Sequence, residues 1–166
     1  MFPEIKITDN MKDRAKSKYN KIKLDPERDK RRFGSEGKRI LEGYLGEIVV
    51  MDYYGVGDID DYEYDIIING IKVDVKTISC KFKPTPNFLA VVNSCEMEGD
   101  HRQEADSYIF VRMREDCEVA WIVGYMMCEK FFDLSTFVKK GETFDGMKFE
   151  KANLNVLPIE NLYQVE

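Results

Sequence analysis

The chain has 166 residues, of which 43% are hydrophobic and 34% charged, and it carries a net charge of −6 at pH 7. This length suits one globular domain with its own core, and no apolar run approaches the roughly 20 residues that a membrane span requires. A membrane-spanning protein is therefore excluded, and because the first residues lack the basic and apolar segments of a secretion signal, we expect a cytoplasmic protein.

The first predicted element is an amphipathic helix that begins after Asp9-Asn10 and ends near Asp25-Pro26. Its apolar stripe recurs at helical spacing, and its other face is rich in Lys and Arg. The stripe consists of Met11, Ala15, Tyr19 and Ile22.

Positive charge is concentrated near the N-terminus of the chain. Residues 12–39 carry 12 Lys or Arg and 5 Asp or Glu, so this segment has a charge of +7 and the remainder −13. A basic segment on an acidic body can guide a polyanion to one place. A solvated helix with salt bridges on its surface explains the same pattern, and both interpretations stay open.

Gly34-Ser35 can cap a second, longer helix over residues 36–54, which ends before Gly55. We assign residues 1–34 to a basic N-terminal helix and connector, and residues 35–166 to a single domain.

A β-hairpin follows. Tyr62–Ile68 and Ile71–Ile78 are rich in β-branched and aromatic residues, and Asn69-Gly70 between them is a strong signal for a two-residue turn.

The rest of the chain predicts mainly strands. We expect a loop over Lys81–Gly99 with one short strand at Phe88–Val92, strands at Ser107–Met113 and Val119–Met127, a helix or turn at Phe131–Lys139, and a strand with a short turn in Asn153–Val165. This order indicates a mixed α/β domain with a central sheet covered by the long helix.

The hairpin turn fixes which residues face each other. With Asn69-Gly70 at the centre of a type I′ turn, paired residue numbers sum to 139, which places Asp65 opposite Asp74. The same alternation places Lys72 and Lys76 on the face of these aspartates. The opposite face forms an apolar surface of Tyr64, Ile66, Ile68, Ile71, Val73, Val75 and Thr77.

Directly opposed residues have Cβ atoms about 5 Å apart, so two carboxylates there repel each other unless a cation lies between them. Mg²⁺ suits such a site. The only histidine is His101, and the four cysteines (Cys80, Cys95, Cys117 and Cys128) form no close pair, so a metal would have oxygen ligands and the cysteines are interpreted as buried thiols. A solvated polar face with lysines that offset the acids is the alternative.

Glu47 lies on the second helix, where its neighbours one turn away are Gly43, Tyr44, Val50 and Met51. No charged residue shares its stripe, so Glu47 should face protein. A buried carboxylate needs a cation, a metal or several hydrogen bonds, and an ion pair with a lysine is an alternative to a metal site.

A helical Glu, an Asp on a hairpin strand and an Asp-x-Lys on the next strand resemble the PD-(D/E)XK nuclease superfamily, here as Glu47, Asp65 and Asp74-Val75-Lys76. The resemblance is close over residues 35–78 and looser over the later strands. Tyr64 stands where the motif has Pro. Gln103 and Tyr108 are five residues apart, so the exonuclease-type Gln/Tyr motif, which needs a spacing of four, is not matched.

The resemblance implies a restriction-endonuclease-like fold with a mixed four- or five-stranded sheet flanked by helices. It also implies Mg²⁺ or Mn²⁺ held by Asp65, Asp74 and the Val75 carbonyl with assistance from Glu47. Lys76 would orient a water or stabilise developing charge, although a cross-strand ion pair between Lys76 and Glu63 is an alternative.

The function implied is a metal-dependent deoxyribonuclease, expected to act as an endonuclease and to be encoded by a phage or mobile element. The expected partner is DNA, with no membrane association and with a homodimer as one option. A non-catalytic nucleic-acid-binding module and an unrelated α/β structural protein with solvated aspartates are the rivals. Weak candidates for DNA contact are Arg31, Arg32, Lys38, Arg39, Lys81 and Lys83.

Overall fold

The computed structural model describes residues 1–23, 37–59, 63–94 and 104–165. These residues form three α-helices, ten strands and one 3₁₀ helix. In chain order they are β1 (Glu4–Lys6), α1 (Asp9–Lys23), α2 (Gly37–Tyr54), β2 (Ile66–Ile68), β3 (Ile71–Cys80), β4 (Leu89–Asn93), β5 (Ser107–Arg114), β6 (Val119–Met127), α3 (Cys128–Leu134), β7 (Thr136–Val138), β8 (Thr143–Phe144), β9 (Met147–Lys148), β10 (Leu154–Pro158) and the 3₁₀ helix (Ile159–Asn161).

The main sheet has five strands in the order β1-β6-β5-β3-β2. Strands β3 and β5 run parallel, and the other neighbours run antiparallel. The predicted α/β fold with a mixed central sheet is confirmed at this level. A second sheet has the order β4-β10-β7, and β8 pairs with β9.

Each face of the main sheet contributes to its own core. On one face, Ala15 of α1 and Val49 of α2 pack with Val75, Ile109 and other apolar side chains. Strand side chains alternate between faces, so the neighbouring residues of β5 and β6 point into a second core with α3 and β10. The expected position of the long helix against the sheet is confirmed.

The hairpin forms with the predicted turn. Asn69 and Gly70 have φ angles of 51° and 81°, as a type I′ turn requires, and Ile68 pairs with Ile71. The register therefore follows the predicted sum of 139 as far as Ile66 and Val73.

Strand β2 is shorter than predicted, because residues 63–65 lie outside it. The Asp65 amide donates to the carbonyl of Val73 at 2.9 Å, although Val73 already pairs with Ile66. The ladder therefore does not continue to a backbone pair of Asp65 with Asp74. The Asp65 carboxylate instead accepts a hydrogen bond from the Val75 amide, which replaces the lost ladder bond.

The remaining element predictions have mixed outcomes. The strands predicted near residues 88–92, 107–113, 119–127 and 153–165 are confirmed as β4, β5, β6 and β10. The prediction for Phe131–Lys139 was only partly right, since α3 begins at Cys128 and strand β7 follows it. The sequence analysis missed β1, whose three residues are too few to show a periodicity.

Several predictions fall outside the described residues. These are the end of the first helix at Asp25-Pro26, the cap at Gly34-Ser35 and the boundary between residues 34 and 35, which stays a prediction. No helix in the described ranges is long and apolar enough to cross a membrane.

Candidate metal centre

Asp74 and Lys76 lie on the same face of β3, because alternate strand residues point the same way. Asp74 is buried, with 3% of its surface exposed, and the Lys76 ammonium is 2.5 Å from its Oδ2 atom. The Asp74 carboxylate therefore has the Lys76 ammonium as its partner, and a metal ion at this position would share the carboxylate with it.

Lys76 is held between the carboxylate and an aromatic ring. Its side chain is 27% exposed, and its ammonium lies 5.6 Å from the centroid of the Tyr108 ring. Burial acts to lower the pKa of Lys76, but the charge of Asp74, its hydrogen bond and the charge of Asp65 together outweigh burial, and the net direction is upward. Lys76 therefore remains a cation at neutral pH.

Asp65 lies directly before β2 and bends towards β3. Its Oδ2 atom accepts a hydrogen bond of 2.7 Å from the Val75 amide. The N–H and C=O groups of one strand residue point to the same side, so the Val75 carbonyl faces the side of β3 where Asp65 lies. A carboxylate and a backbone carbonyl are thus directed to one place.

The pKa of Asp65 is affected by two other acids, Glu47 and Asp74. Burial raises the pKa of Asp65 well above its usual value, and the negative charges of Glu47 and Asp74 raise it further. The hydrogen bond from Val75 acts in the opposite direction without cancelling these effects. At this position an ionised Asp65 is unfavourable unless a cation is close.

Glu47 faces protein as predicted and is 8% exposed. Its Oε2 atom accepts a hydrogen bond of 2.7 Å from the ammonium of Lys18, which also contacts Asp58 Oδ1 at 2.8 Å. The Lys18 ammonium also lies 5.3 Å from the centroid of the Tyr44 ring. The ion pair with a lysine, considered above as an alternative for Glu47, is therefore present.

Lys18 was not among the predicted site residues, although its position on the apolar stripe of α1 indicated it. Lys18 follows Ala15 by three positions and Met11 by seven, so it falls on the buried stripe of α1. A lysine on such a stripe needs a buried acid as its partner. Burial acts to lower the pKa of Lys18, yet Glu47 and Asp58 give a net upward shift.

The donor set fits a divalent cation in part. The described residues contain no group of three or more His, Cys, Asp or Glu side chains arranged to hold a metal ion. Mg²⁺ is often bound by one or two carboxylates with water and substrate oxygens. Asp65, Asp74 and the Val75 carbonyl fit such a site, whereas Glu47 as a ligand stays a prediction.

Four of the six basic residues predicted to contact DNA lie in the described part of the chain, and their contact with DNA stays a prediction. Lys38, Arg39, Lys81 and Lys83 are exposed. Lys81 follows the end of β3, and the strand from Asp74 to Cys80 spans about 20 Å. Arg31 and Arg32 lie outside the described residues.

The other candidate residues have mainly structural positions. Cys80 and Cys128 are buried free thiols, as predicted, but Cys117 is only half-buried because it lies in the turn between β5 and β6. Trp121 belongs to the core, and its indole N–H donates to Glu4. Cys95, His101 and Gln103 lie outside the described residues.

Comparison of the sequence with models of known protein families gives no match, and comparison with curated proteins gives none either. Function is therefore inferred from the contacts and charges of the chain itself. The burial of Asp74 and the partial burial of Asp65 disfavour the rival in which both aspartates are solvated.

Proposed function

We propose that this protein is a Mg²⁺- or Mn²⁺-dependent deoxyribonuclease of the PD-(D/E)XK type, which hydrolyses phosphodiester bonds as an endonuclease. One observation carries the proposal. Asp65 and Asp74 meet in a partly buried place beside Lys76, and Glu47 is close enough to raise the pKa of Asp65. An acid with a strongly shifted pKa close to a specific cation, as Asp65 is here, is typical of a functional site.

The order of the elements supports a restriction-endonuclease-like fold. Helix α2 carries Glu47 and packs on β3, the strand that carries Asp74 and Lys76. Asp65 precedes the hairpin partner of β3, and β5 runs parallel to β3 on the other side. The motif residues thus come from the elements that the resemblance implies.

Each residue has a chemical role in this proposal. Asp65, Asp74 and the Val75 carbonyl hold the metal. A bound Mg²⁺ or Mn²⁺ supplies a water of lowered pKa and a polarised phosphoryl group. Lys76, which stays protonated, stabilises the negative charge that develops on the phosphoryl oxygens. Lys18 holds the Glu47 carboxylate towards the cluster.

The proposal is tested by calorimetric titration of Mn²⁺ into the wild type and Asp74→Asn, followed by incubation of both with closed-circular plasmid. We expect the wild type to bind Mn²⁺ and to nick or linearise the plasmid, and the variant to lose both properties. Cleavage of a closed circle identifies an endonuclease, because an exonuclease needs an end. Asp52→Asn, which changes an exposed acid paired with Arg14, is the matched control and should behave as wild type.

A wild type that neither binds Mn²⁺ nor cleaves DNA would contradict the proposal. A second candidate function is a non-catalytic nucleic-acid-binding module with the same architecture. The ion pairs Lys76–Asp74 and Lys18–Glu47 favour it, because they neutralise part of the acidic cluster without a metal. DNA binding without cleavage in Mn²⁺, unchanged in Asp74→Asn, would support this second function.

A further inference from the structure

Arg112 is a buried cation in the middle of the main sheet. It is 9% exposed, and its Nη2 atom donates to the carbonyl of Leu89 at the start of β4. The guanidinium carbon lies 5.3 Å from the centroid of the Phe88 ring. In the described part of the chain no carboxylate pairs with it. Burial of an unpaired charge is unfavourable, so such a residue needs an explanation.

The guanidinium keeps most of its binding capacity. Its hydrogen bond to Leu89 occupies one of five N–H donors. The Nη2 atom has Leu89 as its partner. The other guanidinium nitrogens are not sealed from solvent, so their N–H groups can contact water. Burial lowers the pKa of Arg112, and the nearby Cys80 thiol opposes this effect. An arginine nevertheless stays charged at neutral pH.

The loop between β3 and β4 contacts Arg112 through Phe88 and carries positive charge. Residues 81–88 include Lys81 and Lys83 and contain no Asp or Glu. The loop ends at Phe88, whose ring lies under the guanidinium. Lys83 contacts Glu4 at 3.4 Å, and Glu4 also accepts from Trp121. Lys81 has no acidic partner among the described residues, so the loop keeps a net positive charge.

We propose that Arg112 and the loop of residues 81–88 form a second anion site, which binds one phosphate group. A planar guanidinium recognises a phosphate through two parallel N–H bonds. Arg112 pairs with Ile78, four residues along β3 from Asp74, which is about 13 Å. The site is thus separate from the candidate metal centre and does not depend on the proposed nuclease activity.

Thermal unfolding of the full chain in inorganic phosphate, against chloride at equal ionic strength, tests the proposal. At roughly five times its Kd, bound phosphate should raise the wild-type Tm by about 2–4 °C. We expect Arg112→Met to lose this rise, measured against its own Tm in chloride, because the variant removes the guanidinium that would bind phosphate together with the hydrogen bond to Leu89. Arg14→Met, which removes an exposed arginine, should keep the rise.

Further measurements identify the source of the phosphate group and cover the case in which Arg112→Met does not fold. In one outcome a short oligonucleotide raises Tm, inorganic phosphate does not, and the rise is lost in Arg112→Met. This outcome assigns the site to a nucleic-acid backbone. If Arg112→Met does not fold, Arg112→Lys is measured in its place. Lysine keeps the charge but lacks the two parallel N–H donors of a guanidinium, so this variant should bind phosphate at least about tenfold more weakly. Asp74→Asn should keep the full response. A wild type that responds to neither ligand, or an Arg112 variant that responds as wild type, would overturn the proposal.

Discussion

At the residue scale, Asp65 is the side chain whose charge opposes folding most clearly. Its pKa is raised by burial and by Glu47 and Asp74. A group whose pKa is raised on folding stabilises the folded state at low pH, and this contribution is lost as pH rises through the folded pKa. The metal-free protein should therefore lose stability across that range.

Asp65→Asn should accordingly stabilise the metal-free protein at neutral pH. The amide oxygen can still accept from Val75, and its NH₂ group can donate to the neighbouring Asp74 carboxylate. We expect a Tm increase of about 2–4 °C, equivalent to roughly 1 kcal/mol for a chain of this size. Scanning calorimetry in a chelator measures this increase, with Asp52→Asn as the exposed control. A lower Tm would contradict the pKa argument.

Lys18 should matter to stability because it is the cation beside Glu47. Lys18→Met removes the ion pair from this buried carboxylate, which should cost about 1–3 kcal/mol. Adding Glu47→Gln to the same chain should recover much of the loss. A double-mutant cycle in urea measures the coupling. The exposed pair of Arg14 and Asp52 is the control, with an expected coupling below about 1 kcal/mol.

At the element scale, the contact of α2 with β3 depends on one glycine. A Cβ atom at Gly46 would lie 1.9 Å from Thr77 Oγ1 and 3.0 Å from Thr77 Cβ, whereas a Cβ at Gly43 would meet nothing within 4 Å. Gly46→Ala should therefore destabilise the protein by about 1–3 kcal/mol. Gly43→Ala should be neutral or stabilise it by up to about 1 kcal/mol, since Ala favours a helix.

Urea unfolding of the two alanine variants checks this difference. Thr77→Ala combined with Gly46→Ala should recover part of the lost stability, because it removes the Oγ1 atom that the new methyl group meets. Equal effects at the two glycines would show that α2 does not need close approach at Gly46.

The same elements show what the sequence alone could predict. Strong local signals were enough to predict the hairpin and its register. These were the Asn69-Gly70 turn and the apolar faces of the two strands, on which Ile66 and Val73 lie. The change of pairing at Asp65 was not predictable, because a side chain replaces a backbone bond there. The ion pair of Lys18 with Glu47 joins residues 29 positions apart. Such long-range contacts depend on tertiary packing, which periodicity does not report.

At the scale of the whole molecule, the two faces of the main sheet contribute differently to the site. One face packs on α2, which supplies Glu47, while Asp74 and Lys76 project from the other face of β3. Asp65, which directly precedes β2, accepts a hydrogen bond from the Val75 amide and is influenced by the charges of both Glu47 and Asp74. The acids can therefore meet only when both cores have formed, and the site should disappear with global unfolding rather than before it.

The proton on Asp65 should compete with a metal ion for the assembled site. Because the folded metal-free protein holds this proton to an unusually high pH, Mn²⁺ binding should release it. Affinity should then increase with pH by about tenfold per unit until pH passes the raised pKa, and level off above it. Calorimetry in two buffers of different ionisation enthalpy counts the released protons. Wild-type binding without proton release would place the metal away from Asp65, whereas Asp65→Asn should bind more weakly and release no proton, because its amide neither titrates nor supplies a charged ligand.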